Sequence, residues 1–220
     1  MDVSNPDLSE PFETRYTYDL LDRTVRIEYP EDPRYDTSIS VNYSYNSMGV
    51  NGIVAEYGTE PLEKTLVSSI DYNEFGQMKS ITNGNGVTTS YEYDIKGRLS
   101  HLASSAFKNN ETMYLQDVDY TFNINNSIRS VEDNPTYTVQ GTTLRHSRYD
   151  YSYDGLNRLI TADGTYEDDL ATQGERFRRA YSYAPSGNLT RKEIRDPDTD
   201  TLVDGWDYTY SNHAATGIDT

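Results

Sequence analysis

Aromatic and polar positions alternate in short stretches along the whole chain, and the stretches share one pattern: Tyr-x-Tyr, then Gly, Asn or Asp four residues later. The second aromatic of each copy serves as an anchor: Tyr18, Tyr45, Tyr72, Tyr93, Phe122, Tyr153, Tyr183 and Tyr210, at spacings of 27, 27, 21, 29, 31, 30 and 27 residues. Two residues before them stand Tyr16, Tyr43, Ile70, Tyr91, Tyr120, Tyr151, Tyr181 and Tyr208, so each pair lies on one face of a strand of period two. A motif returning in fixed register marks a repeat architecture.

The residue after each anchor is Asp19, Asn46, Asn73, Asp94, Asn123, Asp154, Ala184 or Ser211, and most of these bond their own backbone in turns. Four residues after the anchors come Asp22, Gly49, Gly76, Gly97, Asn126, Asn157, Gly187 and Ala214. All but the last are types that tolerate the positive φ of a tight reversal between strands. Met78, Leu99, Ile128, Leu159 and Leu189, at the sixth position, then open a second strand. Each repeat is expected to be a β-hairpin. Met1–Glu13 reads as a lead-in segment, and residues 14–220 as an array of about eight copies, the last incomplete, without an internal domain boundary.

The copies Tyr93-Asp94-Ile95-Lys96-Gly97-Arg98-Leu99 and Tyr153-Asp154-Gly155-Leu156-Asn157-Arg158-Leu159 resemble the Rhs or YD-repeat family, whose motif is approximately Y-D-x-x-G-R-L. The resemblance runs over roughly residues 14 to 213, with departures at Asp22, Ala184 and Ala214. It implies an all-β array of antiparallel hairpins in a curved, spiralling sheet, as a section of a hollow shell. In bacterial toxin complexes and polymorphic toxins such shells enclose a toxic domain; in teneurin-like cell-surface proteins they serve adhesion. The implied product is secreted or surface-exposed, with the remainder of a larger shell protein and an enclosed toxin or effector as partners. The self-cleavage site of many relatives lies after their repeats, and no stretch here is assigned to it.

Composition changes the picture in two ways. Mean hydropathy is −0.82, which would suit a disordered chain, but 21 tyrosines supply large rings that take the place of aliphatic residues in a core. Tyr-on-Tyr contacts between neighbouring hairpins would each add about 0.5–1 kcal/mol. An isolated hairpin is unstable, so each copy needs its neighbours. The spine residues Tyr16, Tyr18, Tyr43, Tyr45, Tyr72, Tyr91, Tyr93, Tyr120, Phe122, Tyr151, Tyr153, Tyr181, Tyr183, Tyr208 and Tyr210 are therefore expected to be buried, with reversals at Gly49, Gly76, Gly97, Asn126, Asn157 and Gly187. The net charge of −17 disfavours nucleic acid and anionic membranes. No stretch is long and apolar enough to span a bilayer, and no leader sequence is visible in Met1–Glu13. With no capping segment apparent, the chain reads as part of a longer protein whose open sheet edges favour self-association.

Candidate chemistry is sparse. The chain has no cysteine, and His101, His146 and His213 fall at unrelated places in their repeats. Asp196, Asp198, Asp200 and Asp204 alternate in one loop as calcium ligands do. That loop lacks the Gly and bidentate Glu of an EF-hand, and a solvated turn accounts for it equally. Trp206 is the aromatic most suited to stacking on a sugar, although it shares the strand face of Tyr208. No catalytic residue, metal or cofactor is assigned. The sequence is read as a non-catalytic shell segment, with a cell-surface adhesion or carbohydrate-binding module as the alternative.

Overall fold

The computed structural model describes residues 13–31, 38–58, 62–108, 110–135, 138–139, 142–143, 146–167, 175–211 and 214–219. The lead-in segment before Glu13 and His213 lie outside these residues. The chain divides into two compact units, Met1–Ser90 and Tyr91–Thr220. In the first, β1 (Arg15–Tyr18), β2 (Thr24–Glu28), β3 (Ile39–Tyr45), β4 (Val50–Tyr57), β5 (Leu62–Tyr72), β6 (Met78–Asn83) and the start of β7 (Thr88–Tyr93) are antiparallel neighbours in chain order. In the second, the end of β7 leads to β8 (Leu99–Lys108), β9 (Glu111–Phe122) and β10 (Ile128–Asp133). A separate ribbon of β11 (Thr138–Val139) and β12 (Thr142–Thr143) follows. The unit closes with β13 (His146–Tyr153), β14 (Leu159–Glu167), β15 (Glu175–Tyr183), β16 (Leu189–Arg195), β17 (Leu202–Ser211) and β18 (Ala214–Asp219). In each unit the strands of the main sheet follow chain order, so the all-β array of antiparallel hairpins expected from the repeats is the fold observed.

Most anchors end the first strand of a hairpin, and there the register slips. Tyr72 faces Met78 while Asp71 faces Ser80, leaving Lys79 as the extra residue of a β-bulge. The same slip occurs at Tyr18, Tyr45, Phe122, Tyr153, Tyr183 and Tyr210. A bulge bends its strand and raises the local right-handed twist. The alternation does not reveal it, because the skipped residue has no common type: Val25, Asn51, Lys79, Arg129, Ile160 and Thr190 all occupy it.

The buried hydrophobic residues are Ala55 and Ile70 in the first unit and Ala103, Val118 and Ala162 in the second; among the described residues no large side chain is fully buried. The spine is half-buried where full burial was expected: Tyr91, Tyr93, Tyr151 and Tyr153 all keep part of their surface in solvent. A ring lying on a sheet is covered by its neighbours and by the strands beneath it, while its outer face stays open. Tyr16 and Tyr18 are exposed, since β1 has a neighbouring strand on one side only.

Candidate functional site

Most of the turns are built around one side-chain oxygen, whereas the turn at Ala184 is closed by backbone hydrogen bonds. Asp94 Oδ1 accepts the N–H groups of Lys96 at 2.8 Å and Arg98 at 3.0 Å. Asp19 does the same with Leu21 and Arg23, and Asp154 with Leu156 and Arg158. The second oxygen accepts Nε of the arginine four residues on, at 2.7 Å in all three turns, with Nη2 also in contact. Where the turn begins with Asn, the partner is neutral: Asn73 Nδ2 donates to Gln77 Oε1 at 3.0 Å and Asn123 Nδ2 to Ser127 Oγ at 2.9 Å. An amide N–H aimed at a guanidinium would set donor against donor, so the two positions change together within the chain. The bonds donated by Arg98, from its side chain first, hold the Asp94 carboxyl below the usual carboxylate range. For Asp19 and Asp154 the leading cause of the same depression is the backbone N–H of the arginine, Arg23 and Arg158.

The same arginines reach the next repeat. The guanidinium carbon of Arg23 lies 4.4 Å from the Tyr45 ring centre, Arg98 4.2 Å from Phe122, and Arg158 4.8 Å from Tyr183. Anchor hydroxyls reach back: Tyr45 donates to the Thr24 carbonyl at 2.7 Å, Tyr72 to Val50 at 2.8 Å and Tyr183 to Leu159 at 2.9 Å. Asp22, Gly76, Gly97, Asn126, Asn157 and Gly187 have positive φ, and Gly49 does not. Its loop is one residue shorter, with Tyr45 facing Val50, so Gly49 occupies the place that arginine takes elsewhere. A Cβ there would lie 3.0 Å from the Tyr72 hydroxyl and 3.2 Å from its ring carbon; glycine is needed for close approach rather than for turn conformation.

One aromatic cluster was not singled out from the sequence. Tyr149 stacks on Tyr151 at 6.5 Å between ring centres, meets Tyr166 edge-on at 5.7 Å, and approaches Phe177 at 6.0 Å. Phe177 lies over Gly164, where any Cβ would fall 2.2 Å from ring carbons. Burial, with the hydrogen bond to Tyr166, pushes the Tyr149 hydroxyl up to about 12. Tyr149 was legible as the first of three alternating tyrosines, whereas Tyr166 and Phe177 carry no repeat signature. Trp206 is half-buried opposite Lys192, whose ammonium lies 5.2 Å from the ring centre.

The acidic loop does not gather its carboxylates. Asp196 Oδ1 accepts the N–H groups of Asp198 and Thr199 at 3.0 and 2.8 Å, Asp198 pairs with Arg176, and Asp204 Oδ1 accepts the Gly205 N–H at 2.8 Å. Asp200 contacts Arg178 and Arg195 at 3.3 and 3.4 Å. Among the described residues no cluster of three or more His, Asp or Glu is arranged to hold a metal ion. His101 sits 2.9 Å from Asp119 and 3.4 Å from Asp117, and His146 lies 3.2 Å from Glu132. A groove of about 200 Å³ in the second unit is lined by Arg148, Asp150, Asp163, Arg176 and Arg178, and these charges pair with neighbouring groups. Among the described residues no helix is long and apolar enough to cross a membrane.

A turn begun in most copies by Asp or Asn, clamped in three of them to the next ring, recurs hairpin after hairpin, and the comparisons point to the same kind of repeat. The RHS Repeat family model matches residues 72–106. Residues 72–106 are thus similar to an Rhs repeat, in line with the resemblance carried by the recurring Tyr-x-Tyr motif. The crystal structure of TcdB2-TccC3-Cdc42 is similar to it with a TM-score of 0.76 at 21% identity, over 94% of this chain and 10% of that one. The Photorhabdus luminescens Tc holotoxin pore is similar with a TM-score of 0.73 at 21% identity, over 92% and 10%. TcdB2-TccC3 without its hypervariable C-terminal region gives 0.75 at 21%, over 95% and 10%. This chain thus spans about a tenth of the length of those it resembles, and the likeness is one of fold. No curated protein sequence matches it.

Proposed function

We propose that this chain is a non-catalytic wall section of a larger Rhs/YD-repeat shell that encloses and shields a toxin or effector domain, in a product that is secreted or displayed on the cell surface. The observation that carries the reading is how each unit holds together. Turn oxygens, arginine-on-ring contacts and hydroxyl-to-carbonyl bonds tie hairpin to hairpin along the sheet. Among the described residues no large side chain is fully buried, so the sheet stands as a wall without a thick core. The partners would be the rest of the shell and its cargo. Its similarity to Tc toxin structures, of which it covers a tenth, supports the same reading.

The test is immunopurification of the native product from its source cells with an antibody against this segment, followed by mass measurement and limited proteolysis. The reading expects a mass far above 25.1 kDa and a co-purifying polypeptide that resists protease until the particle is denatured. A product of 25.1 kDa, or a large one whose contents are digested at once, overturns it.

A further inference from the structure

Rings from three strands converge on one face of the second unit. Tyr149 of β13 stands opposite Gly164 of β14, and Gly164 stands opposite Phe177 of β15. With no side chain at Gly164, Phe177 leans across β14 and comes within 6.0 Å of Tyr149 and 5.9 Å of Tyr166, ring centre to ring centre. Tyr166 lies two residues beyond Gly164 on the same face and meets Tyr149 edge-on at 5.7 Å, with the two hydroxyls hydrogen-bonded to each other. Both rings are half-buried, and Tyr151 stacks on Tyr149 with its plane turned by 6°. Packed neighbours limit how far either ring can turn. Anchor hydroxyls such as Tyr45, Tyr72 and Tyr183 bond backbone carbonyls, whereas Tyr149 and Tyr166 bond phenol to phenol.

The chain has no cysteine, so no disulfide can join two strands, but two phenols can be joined by oxidation. Loss of one electron and the hydroxyl proton from each phenol leaves two phenoxyl radicals, whose spin resides partly on the ring carbons beside the oxygen-bearing one. Hydroxyls in hydrogen-bond contact bring those carbons of the two rings side by side. A carbon–carbon bond forms between them, each bonded carbon passes its hydrogen to its own phenolic oxygen, and both rings recover aromaticity. In sum, two ring C–H bonds are exchanged for one C–C bond, and the two hydrogens reduce hydrogen peroxide to two waters on a haem peroxidase. Radicals already held in contact couple in a unimolecular step, whereas those on separate chains must first meet by diffusion.

We propose that Tyr149 and Tyr166 form an oxidative cross-linking site, at which hydrogen peroxide and a haem peroxidase join β13 to β14 through a dityrosine bond. The bond fixes two strands that hydrogen bonds and ring contacts otherwise hold, and it is independent of what the sheet encloses. The 220-residue chain, treated in dilute solution with a haem peroxidase and hydrogen peroxide, is expected to gain dityrosine fluorescence while its mass stays at 25.1 kDa less two hydrogens. Proteolysis and mass spectrometry are expected to give a cross-linked peptide pair containing Tyr149 and Tyr166. Tyr149→Phe and Tyr166→Phe keep the rings and are each expected to retain the circular dichroism spectrum and lose that peptide pair. Tyr183→Phe, which removes a hydroxyl bonded to a carbonyl, is expected to keep it. A chain that forms no dityrosine overturns the proposal. So does a link that maps to other tyrosines, whether within one chain or between chains through the exposed Tyr16 and Tyr18, or a dityrosine yield unchanged in both phenylalanine variants.

Discussion

At the scale of the residue, two oxygens and a ring do most of what the repeat requires. The Tyr183 hydroxyl donates to the Leu159 carbonyl of the preceding hairpin, and Arg158 covers the ring. Phe122 shows that the anchor position accepts a ring without the hydroxyl. Tyr183→Phe is therefore expected to fold and to lose about 0.5–1.5 kcal/mol, the net worth of one hydrogen bond, read as a lower urea midpoint at constant slope. An unchanged midpoint would remove the hydroxyl from the account. The turn carboxylates predict the response to acid. Asp19, Asp94 and Asp154 titrate below the ordinary carboxylate value of 3.8 in the folded chain. Their contribution is fully present above the unfolded value and disappears as pH falls through the lower folded one. Thermal midpoints should be level from neutrality to about pH 5 and fall below about pH 4. Equal midpoints at pH 7 and pH 3 would contradict this role for the turn acids.

At the scale of the element, the hairpin is a local object with one strained position. Gly187 has φ of +92°, and a Cβ there would meet nothing within 4 Å, so a substitution tests backbone conformation alone. Gly187→Ala is expected to cost about 1–2 kcal/mol, and Gly187→Asn less, because asparagine enters the left-handed region more readily. Equal losses for the two, by thermal or urea unfolding, would show that conformation is not the limiting factor. Hairpins were legible in the sequence because strand alternation and turn residues act within about a dozen residues of one another. The bulge beside each anchor was not, since the skipped residue is Val25 in one copy and Lys79 in another. The short loop at Gly49 was also hidden: its glycine falls at the same spacing as Gly76 or Gly97 yet answers to the Tyr72 ring of the next hairpin.

At the scale of the molecule, stability comes from neighbours. Interior strands such as β9 pair on both sides, while β1 and β18 pair on one. In a repeat array, local opening should follow that difference. Amide exchange is expected to be fastest in β1, with its exposed Arg15–Tyr18, and slowest in strands such as β9. Protection in β1 equal to that in β9 would mean that the chain opens only as a whole. The sequence alone determined that this chain is a row of antiparallel hairpins, because alternation, turn chemistry and repeat spacing are each written in one short stretch and recur in register. Tertiary structure alone decided which arginine lies on which ring, where Gly49 is required, how Tyr149, Tyr166 and Phe177 meet, and that the acidic loop spends its carboxylates on arginines and its own backbone. Those contacts join residues of different strands, and a local pattern does not encode the register at which one hairpin meets the next.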